Sequence, residues 1–488
     1  MRVLEGIKPE KVFYYFEEIC RIPHGSGNTQ EISNYLVSFA KERGLEHYQD
    51  ALGNVIMIKE ASEGYEDARP VMLQGHMDMV AVKRPGCSLD LEKDGLNLKV
   101  DGDRIYAQDT SLGGDDGIAV AYGLAIMDGD AQKHPRLELV ITVDEETGMD
   151  GAREIDLSVC RAHTLLNLDS EEEGIFLAGC AGGARVSFEK EYQTSEENGI
   201  LCRVKVAGLL GGHSGAEIHK ERGNANKLLA RVLNSLEQEI NYQLISWDGG
   251  LADNAIPREA EAKLLFTEDI KQDGDIQGKL QNFVREIEGQ LKAELAEKDS
   301  EVKVEIELLG QAKFLALRQE ETKKLVSFIH VLPNGVQAMS GAMEGLVETS
   351  LNLGILKYDA GKLGMGISVR SSLESAKREL IATLQSLAYL VDMPVSVSGD
   401  YPGWTYRKDS PLREKMTAVY EEIFGKKPEI MAIHAGLECG LLACKIENLD
   451  CVSIGPDMKN IHTTEEELSI SSTERVYRFV LKLLEEMK

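Results

Sequence analysis

Two hydrophobic periods alternate along the first third of the chain. From Asn28 the apolar positions Ile32, Tyr35, Leu36 and Phe39 recur at helical spacing, Asn28 and Glu31 match a capping box, and Gly44 marks the stop. Short apolar and β-branched runs follow at 54–58, 70–74, 137–143 and 164–168, and an apolar helix over 117–127 separates the second from the third. This is α/β order, in which ligands gather at the carboxyl ends of strands.

The pattern changes near Gly183. A strand at 201–206, a helix at 223–240, strands at 242–247 and 259–266 and a helix at 276–297 form one β-α-β-β-α pass. A second pass runs through 302–308, 320–331, 348–356, 364–369 and 373–391, repeating element order and not residue identity. A two-lobed α+β insert is therefore expected. After Met393 the alternation returns with a strand at 394–398, a helix at 411–424, strands at 429–433 and 452–454, and a last helix at 473–487. The expected division is 1–184 and 393–488 for an outer α/β domain and 185–392 for the insert.

A length of 488 residues suits two or three domains, and an apolar fraction of 43% is ordinary. Charge is less ordinary: 54 Lys plus Arg against 82 Asp plus Glu leave a net charge of −28. Such a field repels nucleic acid and anionic membranes and attracts cations, so neither is expected as a partner. With no Arg-rich leader, no apolar signal segment and no bilayer-length run, a soluble cytoplasmic protein is expected. The eight scattered cysteines contain no CxxC pair and read as reduced thiols; Cys439, Cys444 and Cys451 read as small buried hydrophobes.

Charge placement carries the chemistry. In VITVDEETGMDG, Val140 to Gly151, a run of β-formers ends in Asp144, Glu145 and Glu146. Adjacent side chains on a strand face opposite ways, so both glutamates can serve one site only if the strand has ended, and Thr147 and Gly148 support a turn there. Other strand ends behave alike. LQGHMDMV carries His76 and Asp78, SLGGDDG carries Asp115 and Asp116 before a helix, LNLDSEEEG carries Asp169, and NIHTTEE carries His462. Singly these read as a surface pair, helix N-terminal acids, a solvated loop and a cap. Together they fall at element ends of one α/β domain, and two histidines with several carboxylates suit zinc, manganese or cobalt better than calcium or magnesium. No GxSxG, P-loop, HExxH or dinucleotide fingerprint competes, and nothing near Cys439 activates its thiol.

HMD, GGDDG, DEETG, NLD and NIHTTEE, in that order and with a large insert before the last, resemble the dinuclear zinc peptidases of the M20 metallopeptidase clan. HAGLECG, His434 to Gly440, resembles that clan's aminoacyl-histidine dipeptidase branch. The resemblance covers essentially the whole chain and implies a zinc-peptidase-like α/β catalytic domain, helices around a mixed sheet, with an inserted two-lobed α+β lid. Carried over residue by residue, it gives one metal to His76 and Asp169 and the other to Glu146 and His462, with Asp115 bridging. Asp78 would orient His76 through its other ring nitrogen, and Glu145 would be the general base acting on a metal-bridging water. In the lid, His213 would stabilise the oxyanion, and Asn254 and Arg370 would hold substrate, the arginine gripping a terminal carboxylate. The implied cofactors are two divalent ions, zinc first, with manganese or cobalt as alternatives. The implied activity is hydrolysis of unblocked dipeptides, with Xaa-His as the signature substrates. A lid with two similar lobes could let one chain imitate a dimer or could itself mediate dimerisation, and a homodimer is the favoured assembly. A tripeptidase or an N-acyl amino acid amidohydrolase is the alternative within the clan, and a non-catalytic metal-binding protein the alternative outside it. His434 and Glu438 receive no role.

Overall fold

The computed structural model describes residues 2–266 and 275–488. Its backbone contacts divide into two units, the first comprising residues 1–180, 404–432 and 437–488, the second 181–403 and 433–436.

In the first unit an eight-stranded sheet has the order Glu46–Gln49, Val55–Lys59, Leu137–Thr142, Val71–His76, Thr164–Asn167, Asp450–Ser453, Ile175–Cys180, Glu429–Ile433. Val71–His76 runs parallel to both Leu137–Thr142 and Thr164–Asn167, so the carboxyl ends of these three strands share one edge of the sheet. Val71–His76 and Leu137–Thr142 are buried at every position, which is why apolar residues predominate in them without a regular alternation. The same logic holds for the helix Gly114–Ala125, every residue of which is buried; after its opening Asp115 and Asp116 it is apolar all round, as a helix inside a core must be. That core also takes Phe13, Phe16 and Ile19 from the helix Glu10–Cys20 and Val480, Leu483 and Leu484 from Ile470–Glu486. The helix expected to start with a capping box at Asn28 is Gln30–Glu42, with Thr29 at its N-cap and no side-chain capping bond. Asn28 lies one residue too early, and its amide donates to the Glu92 carbonyl instead.

The second unit is built on one antiparallel sheet of nine strands. Its order is Lys303–Leu317, Thr194–Ala207, Ala260–Phe266, Tyr242–Gly249, Val347–Asp359, Lys362–Ser371, Gly182–Glu191, Val395–Tyr401, with Gly335–Met339 added beside Val347–Asp359. The two halves therefore share a continuous sheet, joined where Ser246–Gly249 pairs with Leu356–Asp359. Two strands differ from the sequence pattern. Lys303–Leu317, which opened the second pass, pairs along Thr194–Ala207 and belongs to the first half. The strand expected at 394–398 to reopen the outer domain pairs instead with Gly182–Glu191, and the second unit runs on to Gly403. The missing side chains of Gly182 and Gly183 admit it: a Cβ on the first would collide with Gly403 N, and one on the second would lie 2.6 Å from the Tyr401 hydroxyl. Among the described residues no helix is long and apolar enough to cross a membrane.

Candidate metal centre

The three parallel strands deliver their terminal residues to one place. Val71–His76 ends on His76 itself, with Asp78 two residues on, and Thr164–Asn167 ends two residues before Asp169. Leu137–Thr142 stops before Asp144, whose φ of 54° turns the chain into the short helical turn Glu145–Gly148. Successive side chains on a helical turn diverge by about 100° and not by the 180° of a strand, so Glu145 and Glu146 can address the same region. Asp115 and Asp116 open the buried helix Gly114–Ala125, and His462, at φ 62°, sits in the loop before Glu467–Ser469. The glycine of QGHMD has a steric cause: a Cβ on Gly75 would collide with Asp116 Oδ2, the oxygen that accepts the His76 N–H at 3.1 Å.

The nitrogens and oxygens converge in a specific way. His76 Nε2 is 3.3 Å from Asp115 Oδ1 and 3.6 Å from Asp169 Oδ1. His462 Nε2 is 3.1 Å from Asp115 Oδ2 and 2.9 Å from Glu146 Oε1. Asp115 thus turns one oxygen to each histidine. Two ligands at roughly 2.0–2.1 Å from a tetrahedral ion are about 3.3 Å apart, and the four separations bracket that edge. Among the described residues, His, Cys, Asp and Glu side chains with donor atoms within 4.8 Å of one another form three groups: His76, Asp116 and Asp169; His76, Glu145 and Glu146; and Asp115, Glu146 and His462. Asp116 was not among the expected ligands; it is fully buried, and its Oδ1 has no hydrogen-bond partner.

Supporting contacts fix these groups. His76 Nδ1 faces the Asp78 main-chain carbonyl at 3.0 Å and the Asp78 carboxylate at 3.4 Å. Either acceptor keeps a proton on Nδ1 and turns Nε2 towards Asp115 and Asp169. The Asp78 carboxylate also accepts from Ser26 Oγ at 2.8 Å and from the Glu145 and Glu146 amides at 3.1 and 3.4 Å, tying the His76 strand to the Glu145 turn. Glu466 had no assigned role, yet its buried carboxylate accepts four consecutive amides: Leu112 and Gly113 at 2.8 and 3.0 Å, Gly114 and Asp115 at 2.8 and 3.4 Å. It clamps the loop that presents Asp115. In sequence it is one acid among several after His462.

Burial and crowding set the electrostatics. Burial holds the Glu145 carboxyl well above its ordinary range, and the negative charges of Asp169, Glu438 and Glu146 add to the effect. Burial, then Asp115 and Glu146, raise Asp169 to about 6. Burial also opposes ionisation of Asp115, but His462 and His76 outweigh it and lower this group. Asp115 and Glu146 lift His462 to about 10. Burial works against a charged His76, yet Asp115, Asp169 and Asp78 raise it well above its usual value. So much carboxylate in so little water is costly without cations, and the mixture of imidazole nitrogen and carboxylate oxygen fits zinc, manganese or cobalt.

The second unit gathers a different set. His213 lies on Gly212–His213, paired with Ala255–Ile256 beside Asn254, whose carbonyl accepts the Ser214 amide at 2.8 Å. Its Nδ1 accepts the Gly215 and Ala216 amides at 3.2 and 3.0 Å, which places the ring proton on Nε2. Arg370 donates to the Tyr401 hydroxyl at 3.1 Å and keeps a buried Nε without a partner. His434 is buried and bonded to Ser350 Oγ at 2.7 Å; burial, then Arg370, lowers its pKa to about 4. A Cβ on Gly215 would lie 2.6 Å from the His434 carbonyl, 3.0 Å from His213 Cε1 and 3.3 Å from Arg370 Nε, so these three residues converge on a glycine. Asn254 is exposed beside them.

The chain is 36% identical over 491 residues to the cytosol non-specific dipeptidase of Escherichia coli (strain K12), covering 100% of this chain and 99% of the relative. In structure it matches the aminoacylhistidine dipeptidase from Vibrio alginolyticus with a TM-score of 0.90 at 34% identity, over 99% of this chain and 98% of that one. The fold alone is shared with the aminopeptidase PepT from Bacillus cereus, TM-score 0.56 at 15% identity over 99% of each chain. Residues 72–486 match the model of peptidase family M20/M25/M40, and the chain belongs to that family.

Proposed function

We propose that this chain is a two-metal dipeptidase in which His76 and Asp169 would hold one ion, Glu146 and His462 would hold the other, and Asp115 would be shared between them. The observation that carries the reading is the division of Asp115, one oxygen to each histidine. Zinc is the proposed metal, with manganese and cobalt compatible with the same donors. Two such ions supply Lewis acidity, lowering the pKa of water and polarising a peptide carbonyl.

The remaining work falls to side chains. The Glu145 carboxylate takes a proton from the attacking water and returns it to the leaving amine nitrogen. Asp78 keeps His76 in the required tautomer. In the second unit the Nε2–H of His213 is the donor for an oxyanion, and Arg370, with a free Nε, takes a substrate carboxylate beside Asn254.

The substrates proposed are unblocked dipeptides, Xaa-His among them, because the Escherichia coli relative is named a non-specific dipeptidase and the Vibrio protein an aminoacylhistidine dipeptidase. A cytosolic homodimer completes the proposal. The test is metal analysis of the purified protein together with a panel of dipeptides, tripeptides and N-acyl amino acids. Two ions per chain and turnover of free dipeptides are expected; turnover of N-acyl amino acids alone would sink the substrate assignment.

A further inference from the structure

Beneath the candidate centre lies a set of polar side chains that the chemistry above leaves unused. Gln74, Thr142, Asn167 and Glu438 are all completely buried. Glu438 opens the helix Glu438–Lys445, and its Oε2 accepts both the Gln74 amide and, at 2.6 Å, the Thr142 hydroxyl. Gln74 Oε1 in turn accepts the Asn167 amide at 2.6 Å, and Asn167 Oδ1 accepts the Asp169 N–H at 3.4 Å. The contacts form one relay, Glu438 to Gln74 to Asn167 to Asp169.

The relay has a polarity. Gln74 and Asn167 can each be turned either way, and only their neighbours decide which end donates. Glu438, accepting at Oε2, draws the Gln74 amide nitrogen towards itself. Gln74 Oε1 then faces Asn167, whose own oxygen is left for Asp169. Gln74, Thr142 and Asn167 belong to the three parallel strands that end at His76, the Glu145 turn and Asp169. An apolar core would hold those strands together as well, since buried polar groups add little net stability over well-packed hydrophobes. What they add is orientation.

We propose that Glu438 is a positioning residue: acting through Gln74 and Asn167, it fixes the Asp169 backbone so that the carboxylate meets the same ion as His76. This gives the Glu438 of HAGLECG a task, while His434 of the same segment serves the second unit's group. The inference rests on the two-metal reading and predicts an asymmetry between the two sites. Asp169 stands at the end of the relay; Glu146 and His462 do not.

The experiment is a competition titration of the metal-free chain with Zn2+ against a chromogenic chelator, on wild type, Glu438→Met, Gln74→Met and Glu438→Gln. The methionines keep the volume and remove the polar link, while Glu438→Gln still offers an oxygen to both donors. Each methionine variant is expected to weaken one of the two ions by about 10–100-fold and the other by less than about threefold. Glu438→Gln is expected to restore both. Gln74→Met tests the same relay should Glu438→Met fail to fold. Equal weakening of both ions, no weakening, or a Glu438→Gln chain that binds as poorly as Glu438→Met overturns the positioning role. A wild-type chain that binds fewer than two ions overturns the two-metal reading itself, and that result is read without any variant.

Discussion

Glu466→Gln is a small change with a calculable effect. Each Glu466 oxygen takes two amides, Oε2 those of Leu112 and Gly113 and Oε1 those of Gly114 and Asp115. Replacing either oxygen with NH2 leaves two buried N–H groups facing a donor. An unsatisfied buried donor costs about 1–3 kcal/mol, so the pair costs roughly 2–6 kcal/mol if the loop stays in place. The loop relieves part of that by moving, and moving it displaces Asp115. Loss of a group that supports a metal ligand typically weakens binding by about 10–100-fold, or ~1.4–2.8 kcal/mol. Because Asp115 faces both histidines, both ions should weaken together, in contrast to the one-sided loss expected from Glu438→Met. Zn2+ competition titration reads the effect, with circular dichroism to show that the fold persists. Glu465→Gln serves as control, since Glu465 is exposed and its carboxylate pairs with Arg84 on the surface. Wild-type affinity for both ions in Glu466→Gln would refute the clamp.

Arg370→Lys should raise KM for dipeptides tenfold or more with little change in kcat, since an ammonium lacks the fork that grips a carboxylate; steady-state kinetics checks this. Gly215→Ala should lower turnover at least tenfold at unchanged metal content, because its Cβ would meet the His434 carbonyl and the His213 ring at 2.6 and 3.0 Å. In the metal-free protein, burial raises the Glu438 carboxyl from 4.5 to about 8. The folded chain then holds this proton where the unfolded chain has released it. Stability from the group is complete below about pH 4.5 and lost as pH rises to about 8, at no more than about 1.4 kcal/mol per pH unit. Denaturant unfolding across that range should show Glu438→Gln with the flatter profile.

The candidate ligands were legible because α/β order gathers ligands at the carboxyl ends of strands, where His76, Asp169 and the acids after Val143 fall, and because Glu145 and Glu146 made sense only if the strand had ended. The turn Glu145–Gly148 is the structural form of that inference. Strand partnership was less legible. Nothing local in Lys303–Leu317 or Val395–Tyr401 names the strand each will join, and the second is mostly exposed, so its apolar signal is weak. Supporting polar residues were the least legible. Glu466 meets its amides some 350 residues away along the chain, and Glu438 reaches Gln74 across 364. Glu438 is the one acid in HAGLECG and Glu466 one of several after His462; the histidines draw attention first, and burial, invisible to periodicity, is what distinguishes both.

The central claim is a division of labour between adjacent glutamates, Glu146 holding metal and Glu145 moving a proton. It is tested most directly by measuring metal content and dipeptide turnover together in Glu145→Ala. Two ions per chain with turnover reduced by about 10²–10⁴-fold is the predicted result. Turnover near that of the wild type, or loss of an ion along with activity, would contradict it.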